Sequence, residues 1–562
     1  MKIQQWFCVV AVIVLAASWS NSTTAMTTPP DTLATPDTFA TLIGWTDHCF
    51  TNLPEYPKSV KSDEKETRFS NKSGITSTTI DDLYTQYTTS KPSTSLPETT
   101  RNVNDEDFTS SASSFVQKVQ IPLGSTLCFM GDLHGSVHAL LRNLLRLYTK
   151  SFIADDWKLA PGNYLIFLGD FVDRGSYGTE CWWTLMKLAS INPSQVILVQ
   201  GNHEEIGYQC NAKFSLKIPR YAQFDHFFSE LSFKIPNNMD KIFDTFLNFC
   251  QTLPLAVFLS PIKSDNTHDY VQCSHGGIEP RFNTSFFLTD SENFQFIQDA
   301  KNVNGFNWSD FTGINNLYGK APIASWQNPS YKWTANTDRG TAFIADISDT
   351  KEYLRGSTLK AFFRGHQDLK NSFKLVVNST PGVAEWSNLT RINTSDKTIL
   401  ESNGIPMAEF VNQPDTVPVF TFTTATEARS LDDEGFGIVT MAEDFNQWKI
   451  KPHIYTNDEI SFDKQSIELL EEAKKKEAFE KTVNNLLLVS SIDLHKALHQ
   501  SRIKSMGEYI RTYGIPSDQQ INTSTIYLKI LENKLGMLQT QLSELKTKLN
   551  ELGAAVTAIT TG

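Results

Sequence analysis

The chain has 562 residues, 40% of them hydrophobic and 11% aromatic, enough to enclose a sizeable core and leave accessory segments over. Its formal net charge of -12 and pI near 5.5, without a basic run or stripe, exclude a general affinity for nucleic acid or anionic membrane surfaces. Any anion binding must therefore be local.

Residues 1–25 have the form of a secretory signal peptide: Lys2, an apolar stretch from Trp6 to Ala17, then Ser, Thr and Asn before a cut after Ala25. The apolar stretch is shorter than the roughly 20 residues that a spanning helix needs. A secreted or periplasmic protein is expected, with no stable membrane span after signal removal. Residues 26–115 are rich in Thr, Ser and Pro, with apolar residues gathered around Phe39 to Phe50, and read as a mostly disordered linker. Beyond Cys8 the six remaining cysteines show no metal-ligand or CxxC spacing, and Cys128 and Cys273 read as small buried hydrophobes.

Between residues 116 and 455 short apolar runs alternate with helical patterns, Val137 to Tyr148 and Cys181 to Ser190 among them, in the β-α-β-α order of an α/β domain. Later strands at Val271-Gln272-Cys273, Ala361-Phe362-Phe363, Val417 to Thr423 and Phe436 to Met441 follow with fewer helices between them, which fits a two-sheet α/β sandwich. Five clusters stand at the ends of such runs: Gly131-Asp132-Leu133-His134-Gly135, Gly169-Asp170-Phe171-Val172-Asp173-Arg174-Gly175, Gly201-Asn202-His203-Glu204, Ser274-His275-Gly276-Gly277 and Arg364-Gly365-His366-Gln367. Loops at the carboxyl edge of a sheet are where an α/β fold places chemistry, because the strands fix them while the side chains stay accessible.

Beyond residue 461 the composition turns to Glu, Lys and Leu. Residues 461–513 read as helical. Within 524–553, Leu528, Leu531, Leu535, Leu538, Leu542, Leu545, Leu549 and Leu552 alternate steps of three and four, a coiled-coil seam that must pair with another copy, with a partner protein, or with the preceding helix.

The clusters hold a specific donor set. Asp132 and His134 stand two apart, so Leu133 can enter the core while both face one ion; Asp170 can bridge to a second ion completed by Asn202, His275 and His366. Oxygen and imidazole donors together suit manganese, iron or zinc better than the all-oxygen shells of magnesium and calcium. Two such ions supply an acidified water as nucleophile for attack at phosphorus. His203 is placed to protonate the leaving oxygen, Asp173 to orient that imidazole, and Arg174, Asn202 and the later Arg339 to hold phosphate oxygens.

As a set these motifs resemble those of the phosphoprotein phosphatase family of calcineurin-like metallophosphoesterases over residues 118 to 445, together with Leu253-Pro254-Leu255-Ala256 and Trp308-Ser309-Asp310, which is similar to that family's groove-lining segment. The resemblance implies the calcineurin-like two-sheet sandwich flanked by helices, here with a C-terminal helical extension. It also implies a dinuclear metal centre and phosphoserine or phosphothreonine proteins as substrates. At Phe422-Thr423-Thr424-Ala425-Thr426-Glu427 the chain departs from the family's Ser-Ala-Pro-Asn-Tyr loop, with Glu427 where the tyrosine stands, which opens phosphotyrosine as a substrate. The whole is also similar to bacterial secreted phosphatases of this fold. Two other readings stand beside this one: a nucleotide or dinucleoside-polyphosphate hydrolase using the same metal cradle, and a phosphate-recognising interaction protein that works through its coiled-coil tail.

Overall fold

The computed structural model describes residues 39–55, 72–91, 114–210, 226–297, 305–312, 334–335, 343–367, 373–377, 386–387, 404–411, 416–424, 433–456, 468–470, 472–473 and 475. The chain divides into two compact units, Met1–Lys474 and Lys475–Gly562, and the sheets belong to the first. The signal-like residues 1–25 and the leucine seam of 524–553 lie outside the described residues, as does most of the 461–513 region.

Two sheets face each other. One has six strands in the order β14 (Ile405–Pro406), β17 (Lys449–Thr456), β16 (Asp433–Thr440), β2 (Thr126–Met130), β3 (Asn163–Phe167) and β4 (Val196–Leu198). The other has eight, in the order β13 (Trp386–Ser387), β12 (Phe373–Val377), β15 (Thr416–Phe422), β11 (Phe362–Arg364), β6 (Val271–Ser274), β5 (Ala256–Pro261), β1 (Phe115–Ile121) and β7 (Phe294–Phe296). A small third sheet joins β8 (Asp310–Phe311), β10 (Phe343–Ala345) and β9 (Thr334–Ala335). β2, β3 and β4 are parallel to one another, as are β6, β11 and β15, so each sheet gathers several carboxyl ends at one edge.

The period of two along each strand decides which core a side chain joins. Leu127 and Phe129 of β2, Ile166 of β3, Val257 and Leu259 of β5 and Phe363 of β11 fill the space between the sheets. Cys128, Met130, Leu165 and Phe167 point the other way, under the helices. Phe129 stacks on Phe363 across the sandwich at 4.4 Å between centroids and 10° between planes, a contact adding about 0.5–1.5 kcal/mol to the area it buries.

The outer face of the six-stranded sheet is covered by α1 (Leu42–Asn52), α2 (Ser77–Ser90), α3 (Val137–Thr149), α4 (Gly178–Ile191), α5 (Phe227–Lys234) and α6 (Met239–Gln251). The outer face of the other sheet carries α7 (Thr284–Thr289), α8 (Gly305–Trp308) and α9 (Ile347–Ser357). α4 begins three residues before the apolar run at Cys181, because the Glu230 carboxylate accepts the amides of Gly178 and Thr179 at 2.9 and 2.8 Å and so caps its first turn.

α1 and α2 correct the reading of 26–115 as a mostly disordered linker: within it, residues 42–52 and 77–90 are helices that belong to the core. Composition weighs threonine as a solvated residue, but here threonines cap the helix and satisfy their hydroxyls within it. Thr76 and Thr79 form a reciprocal capping box, and Thr85, Thr88 and Thr89 return their hydroxyls to the carbonyls of Asp81, Tyr84 and Thr85. The few apolar residues are spaced to share one face: Ile80, Leu83 and Tyr87 are buried, as are Leu42, Trp45 and Cys49 of α1. Trp45 also donates its indole N–H to Thr184 of α4 at 3.0 Å.

Candidate metal centre

Every cluster singled out in the sequence follows a strand, and the carboxyl ends of both sheets bring them together. Asp132 and His134 follow β2; Asp170, Asp173 and Arg174 follow β3; Asn202 and His203 form a short 3-10 turn after β4; His275 follows β6; His366 follows β11. The two sheets are laced at this edge, where Asp132 bridges to Thr423 and its carbonyl accepts the Thr424 amide at 3.0 Å. Such proximity demands glycine. A Cβ on Gly201 would lie 2.2 Å from the Asp170 amide nitrogen, and one on Gly365 would lie 2.3 Å from Asp132 Oδ1. His134, Asp170, Asp173, Arg174 and His366 all adopt positive φ, between 44° and 71°, a left-handed backbone that non-glycine residues adopt at a cost.

Two groups of donor atoms share Asp170: His134, Asp170 and His203 in one, Asp170, His275 and His366 in the other, each with its ligand atoms within 4.8 Å of one another. His275 Nδ1–H donates to the Leu168 carbonyl at 2.8 Å, which leaves Nε2 as a lone pair. That lone pair faces Asp170 Oδ2 at 3.0 Å, Asn202 Oδ1 at 2.9 Å and His366 Nδ1 at 3.2 Å. His366 Nδ1 is in turn 2.9 Å from Asn202 Oδ1. Acceptors converge here on a point, an arrangement that calls for positive charge. With the side chains alone, and against the effect of burial, Asp170 and Asp132 push His275 up to about 9 to provide it. His134 is the reverse case: burial and the Arg174 guanidinium hold it well below its ordinary value, in the neutral form that coordinates metal. Asp132 Oδ1 accepts the His366 amide at 2.9 Å, while Oδ2 is buried and accepts no hydrogen bond among the described residues. An orphaned carboxylate oxygen 3.9 Å from His134 Nε2 is the position that a cation would satisfy. The oxygen and nitrogen donors therefore fit a pair of divalent ions.

His203 stands beside this centre with a different set of bonds. Its Nδ1 is 2.7 Å from Asp173 Oδ2, and Nε2 lies 4.0 Å from Asp170 Oδ2. Burial opposes charge on His203, but Asp170 and the Asp173 hydrogen bond outweigh it and raise the pKa. Asp173 is itself fixed, by Gln209 Nε2 at 3.0 Å and the Phe227 amide at 2.5 Å. Arg174 reaches His134 Nε2 at 2.7 Å and His203 Nε2 at 3.0 Å, so its fork sits in the centre. Arg339 and Glu427 lie outside the described residues.

Sequence reasoning gave no role to several residues that hold this geometry. Glu204 accepts four backbone amides, Asp170 and Phe171 at 2.8 Å, Gly201 at 3.0 Å and Val172 at 3.4 Å, and thereby ties the loops after β3 and β4 together. Burial, with Asp170 beside it, pushes its pKa up to about 7, against the pull of the Phe171 amide. Its place in the Gly-Asn-His-Glu cluster was the available signal. Gln209 carried none. Arg364, fully buried, donates to the Gly276 carbonyl, to Gln367 and to the Ser309 carbonyl, and so fastens the His275 loop to the His366 loop.

Residues 125–368 match the family model described as calcineurin-like phosphoesterase. A serine/threonine-protein phosphatase 6 catalytic subunit of Caenorhabditis elegans is 24% identical over 258 residues, 46% of this chain and 63% of that protein, so the chain spans less than two thirds of this relative. Serine/threonine-protein phosphatase PP1-1 of Saccharomyces cerevisiae is 27% identical over 277 residues, 49% of this chain and 71% of the yeast protein. Among solved structures, a Saccharomyces cerevisiae protein serine/threonine phosphatase with similarity to human phosphatase PP5 aligns at a TM-score of 0.37 and 18% identity, covering 69% of this chain and 89% of the other. With the five loop motifs in one centre and the family match spanning them, residues 125–368 form a calcineurin-like phosphoesterase domain whose relatives include serine/threonine-protein phosphatases.

Proposed function

We propose that the chain is a metal-dependent phosphoprotein phosphatase that hydrolyses phosphomonoesters on serine, threonine or tyrosine side chains of a partner protein. The observation that carries this reading is the convergence of Asp170 Oδ2 and Asn202 Oδ1 within 3.0 Å of His275 Nε2, next to the orphaned Asp132 Oδ2. Asp132, His134 and Asp170 would hold one divalent ion, and Asp170, Asn202, His275 and His366 a second, manganese before iron or zinc. Bound there, the ions supply Lewis acidity and a water acidic enough to attack phosphorus near neutral pH.

The remaining work falls to the side chains. Asp173 accepts His203 Nδ1–H and fixes the imidazole so that Nε2 faces the centre, from which it gives a proton to the departing oxygen. Arg174 carries a fork of donors already between His134 and His203, and turning it onto a phosphate releases both imidazoles. Asn202 and, from its sequence context, Arg339 assist in holding phosphate oxygens. The two serine/threonine phosphatase relatives support a phosphoprotein as substrate. The signal-like residues 1–25 support action outside the cytoplasm, and the leucine seam of 524–553 supports self-association or delivery to a partner.

The test is hydrolysis of phosphoserine, phosphothreonine and phosphotyrosine peptides by the full mature chain with manganese. Chelation is expected to abolish turnover and manganese to restore it, while His203→Asn lowers kcat by roughly 10²–10⁴-fold with metal content retained. Turnover that survives complete chelation would sink the reading.

A further inference from the structure

The turn that follows Glu204 carries two residues to which the metal centre itself gives no role, Glu205 and Tyr208. The Tyr208 ring is partly exposed and stands edge-on to the His203 imidazole at 4.9 Å between centroids. On its other side it meets the partly exposed Trp308 ring at 6.3 Å, and Trp308 stands edge-on to His366 at 5.9 Å. His226 extends the row outward, 5.8 Å from Tyr208. An unbroken aromatic band therefore runs from the imidazole of one donor group to that of the other. Glu205 pins the band, accepting the Trp308 indole N–H at 2.8 Å. Burial raises the Glu205 pKa while this hydrogen bond favours its carboxylate.

We propose that Tyr208, with Trp308 held in place by Glu205, forms the wall against which the leaving group lies and gives the site a preference for aryl over alkyl phosphate esters. The proposal rests on the phosphatase reading for the identity of the reaction and adds the class of ester. His203 faces the departing oxygen in that reading, so whatever is bonded to that oxygen lies next to Tyr208. In phosphotyrosine and other aryl phosphates that group is a ring, which can stack edge-on or offset on the band. In phosphoserine or phosphothreonine it is one or two aliphatic carbons, which cover little of it. Tyr208 acts through contact with the ring, and Glu205 is a positioning residue that acts through Trp308.

Binding and turnover test this separately. Titration of the manganese-loaded full chain with phenylphosphonate and propylphosphonate, neither of which can be hydrolysed, is expected to give about fivefold tighter binding of the aryl compound, a margin that Tyr208→Leu removes and Tyr208→Phe keeps. In turnover, the ratio of kcat/KM for a phosphotyrosine peptide to that for the matching phosphoserine peptide is expected to fall about fivefold in Tyr208→Leu, mainly through KM. Glu205→Leu should lower the same ratio, and Glu205→Gln, whose amide oxygen still accepts the indole N–H, should restore it. Equal affinity of the wild type for the two phosphonates, or an unchanged ratio in Tyr208→Leu, overturns the proposal. Faster turnover of a dinucleoside polyphosphate than of any aryl monoester also overturns it, and assigns the band to a nucleobase. A wild type that prefers the aryl phosphonate yet hydrolyses no ester would sink the phosphatase reading while leaving the aryl wall standing.

Discussion

A single carboxylate, Glu204, shows how much of this centre depends on residues that never face a phosphate. Its two oxygens divide four amides from the loops after β3 and β4, and two of those amides belong to Phe171 and to Asp170, the residue that both donor groups share. Glu204→Gln keeps the shape but offers one acceptor oxygen and turns an NH2 toward amide donors, which leaves buried N–H groups unsatisfied at a cost of about 1–3 kcal/mol. The expected outcome is a lower Tm together with weaker manganese retention, read by thermal unfolding and metal analysis on one preparation. An unchanged Tm would show that the amides find other partners. The candidate ligands were legible as residues, because the clusters of Asp132, Asp170, Asn202, His275 and His366 are short and follow apolar runs. Gln209, Tyr208 and the Glu205–Trp308 bond were not, since each gains its meaning from a neighbour far away in sequence.

At the scale of elements, α3 is fixed to the six-stranded sheet by a buried charge network. Arg142 makes a two-pronged contact with Glu434 of β16, at 2.9 Å from Nε and 2.8 Å from Nη2, and also reaches Glu55, while Arg146 adds a bond to Glu434 at 2.6 Å. Tyr455 of β17 lies under the Arg146 guanidinium at 3.6 Å. Burial disfavours the Glu434 charge, but Arg142 and Arg146 outweigh it and hold its pKa below the ordinary glutamate value of 4.5. A carboxyl whose folded pKa is depressed stabilises the fold fully above its unfolded value and loses that contribution as pH falls through the folded one. The Glu434 contribution to stability should therefore be level from neutral pH down to about 5 and fall below it. In Glu434→Gln the acid-side slope should flatten, while stability near neutrality drops by about 3–5 kcal/mol because the buried Arg146 guanidinium loses its counter-charge and Arg142 keeps only the partly exposed Glu55. Tm measured from pH 7 to pH 4 in both chains checks this; parallel slopes would assign the acid sensitivity to other carboxylates.

For the molecule as a whole, α1 and α2, which precede β1, are part of the folded domain. Leu42, Trp45, Ile80, Leu83 and Tyr87 all enter the main helical core, the Tyr177 hydroxyl donates to the Pro54 carbonyl, and His138 Nε2 lies 2.8 Å from the Leu53 carbonyl. Those two carbonyls meet Tyr177, just past the Arg174 loop, and His138, just past the His134 loop. Each large apolar side chain withdrawn from water contributes about 1.5–3 kcal/mol, so the five together rival the ~5–15 kcal/mol by which a domain is stable. A chain beginning at residue 92 is expected to unfold at a Tm at least 10 °C lower or to fail to accumulate as soluble protein, as differential scanning calorimetry would record. An unaltered Tm would reduce α1 and α2 to ornaments of the surface. The composition of 26–115 pointed to a linker because it counts residue types, and burial of α2 depends on where three apolar residues fall on one helix face.

Sequence alone determined the chemistry of this protein: the donor types, their order, their position after strands, and an α/β sandwich to carry them. These are properties of short motifs and of apolar periodicity, which are local and survive reading in one dimension. Only the tertiary structure decided which atoms face each other. It showed Asp132 Oδ2 orphaned beside His134, Glu204 knotting two loops, α1 and α2 docked on the core, and an aromatic band leading from His203 to His366. The aromatic band joins loops that follow strands of the two sheets, Glu204 joins the loops of two neighbouring strands, and α1 and α2 pack on elements much later in the chain, and no local pattern encodes such distances.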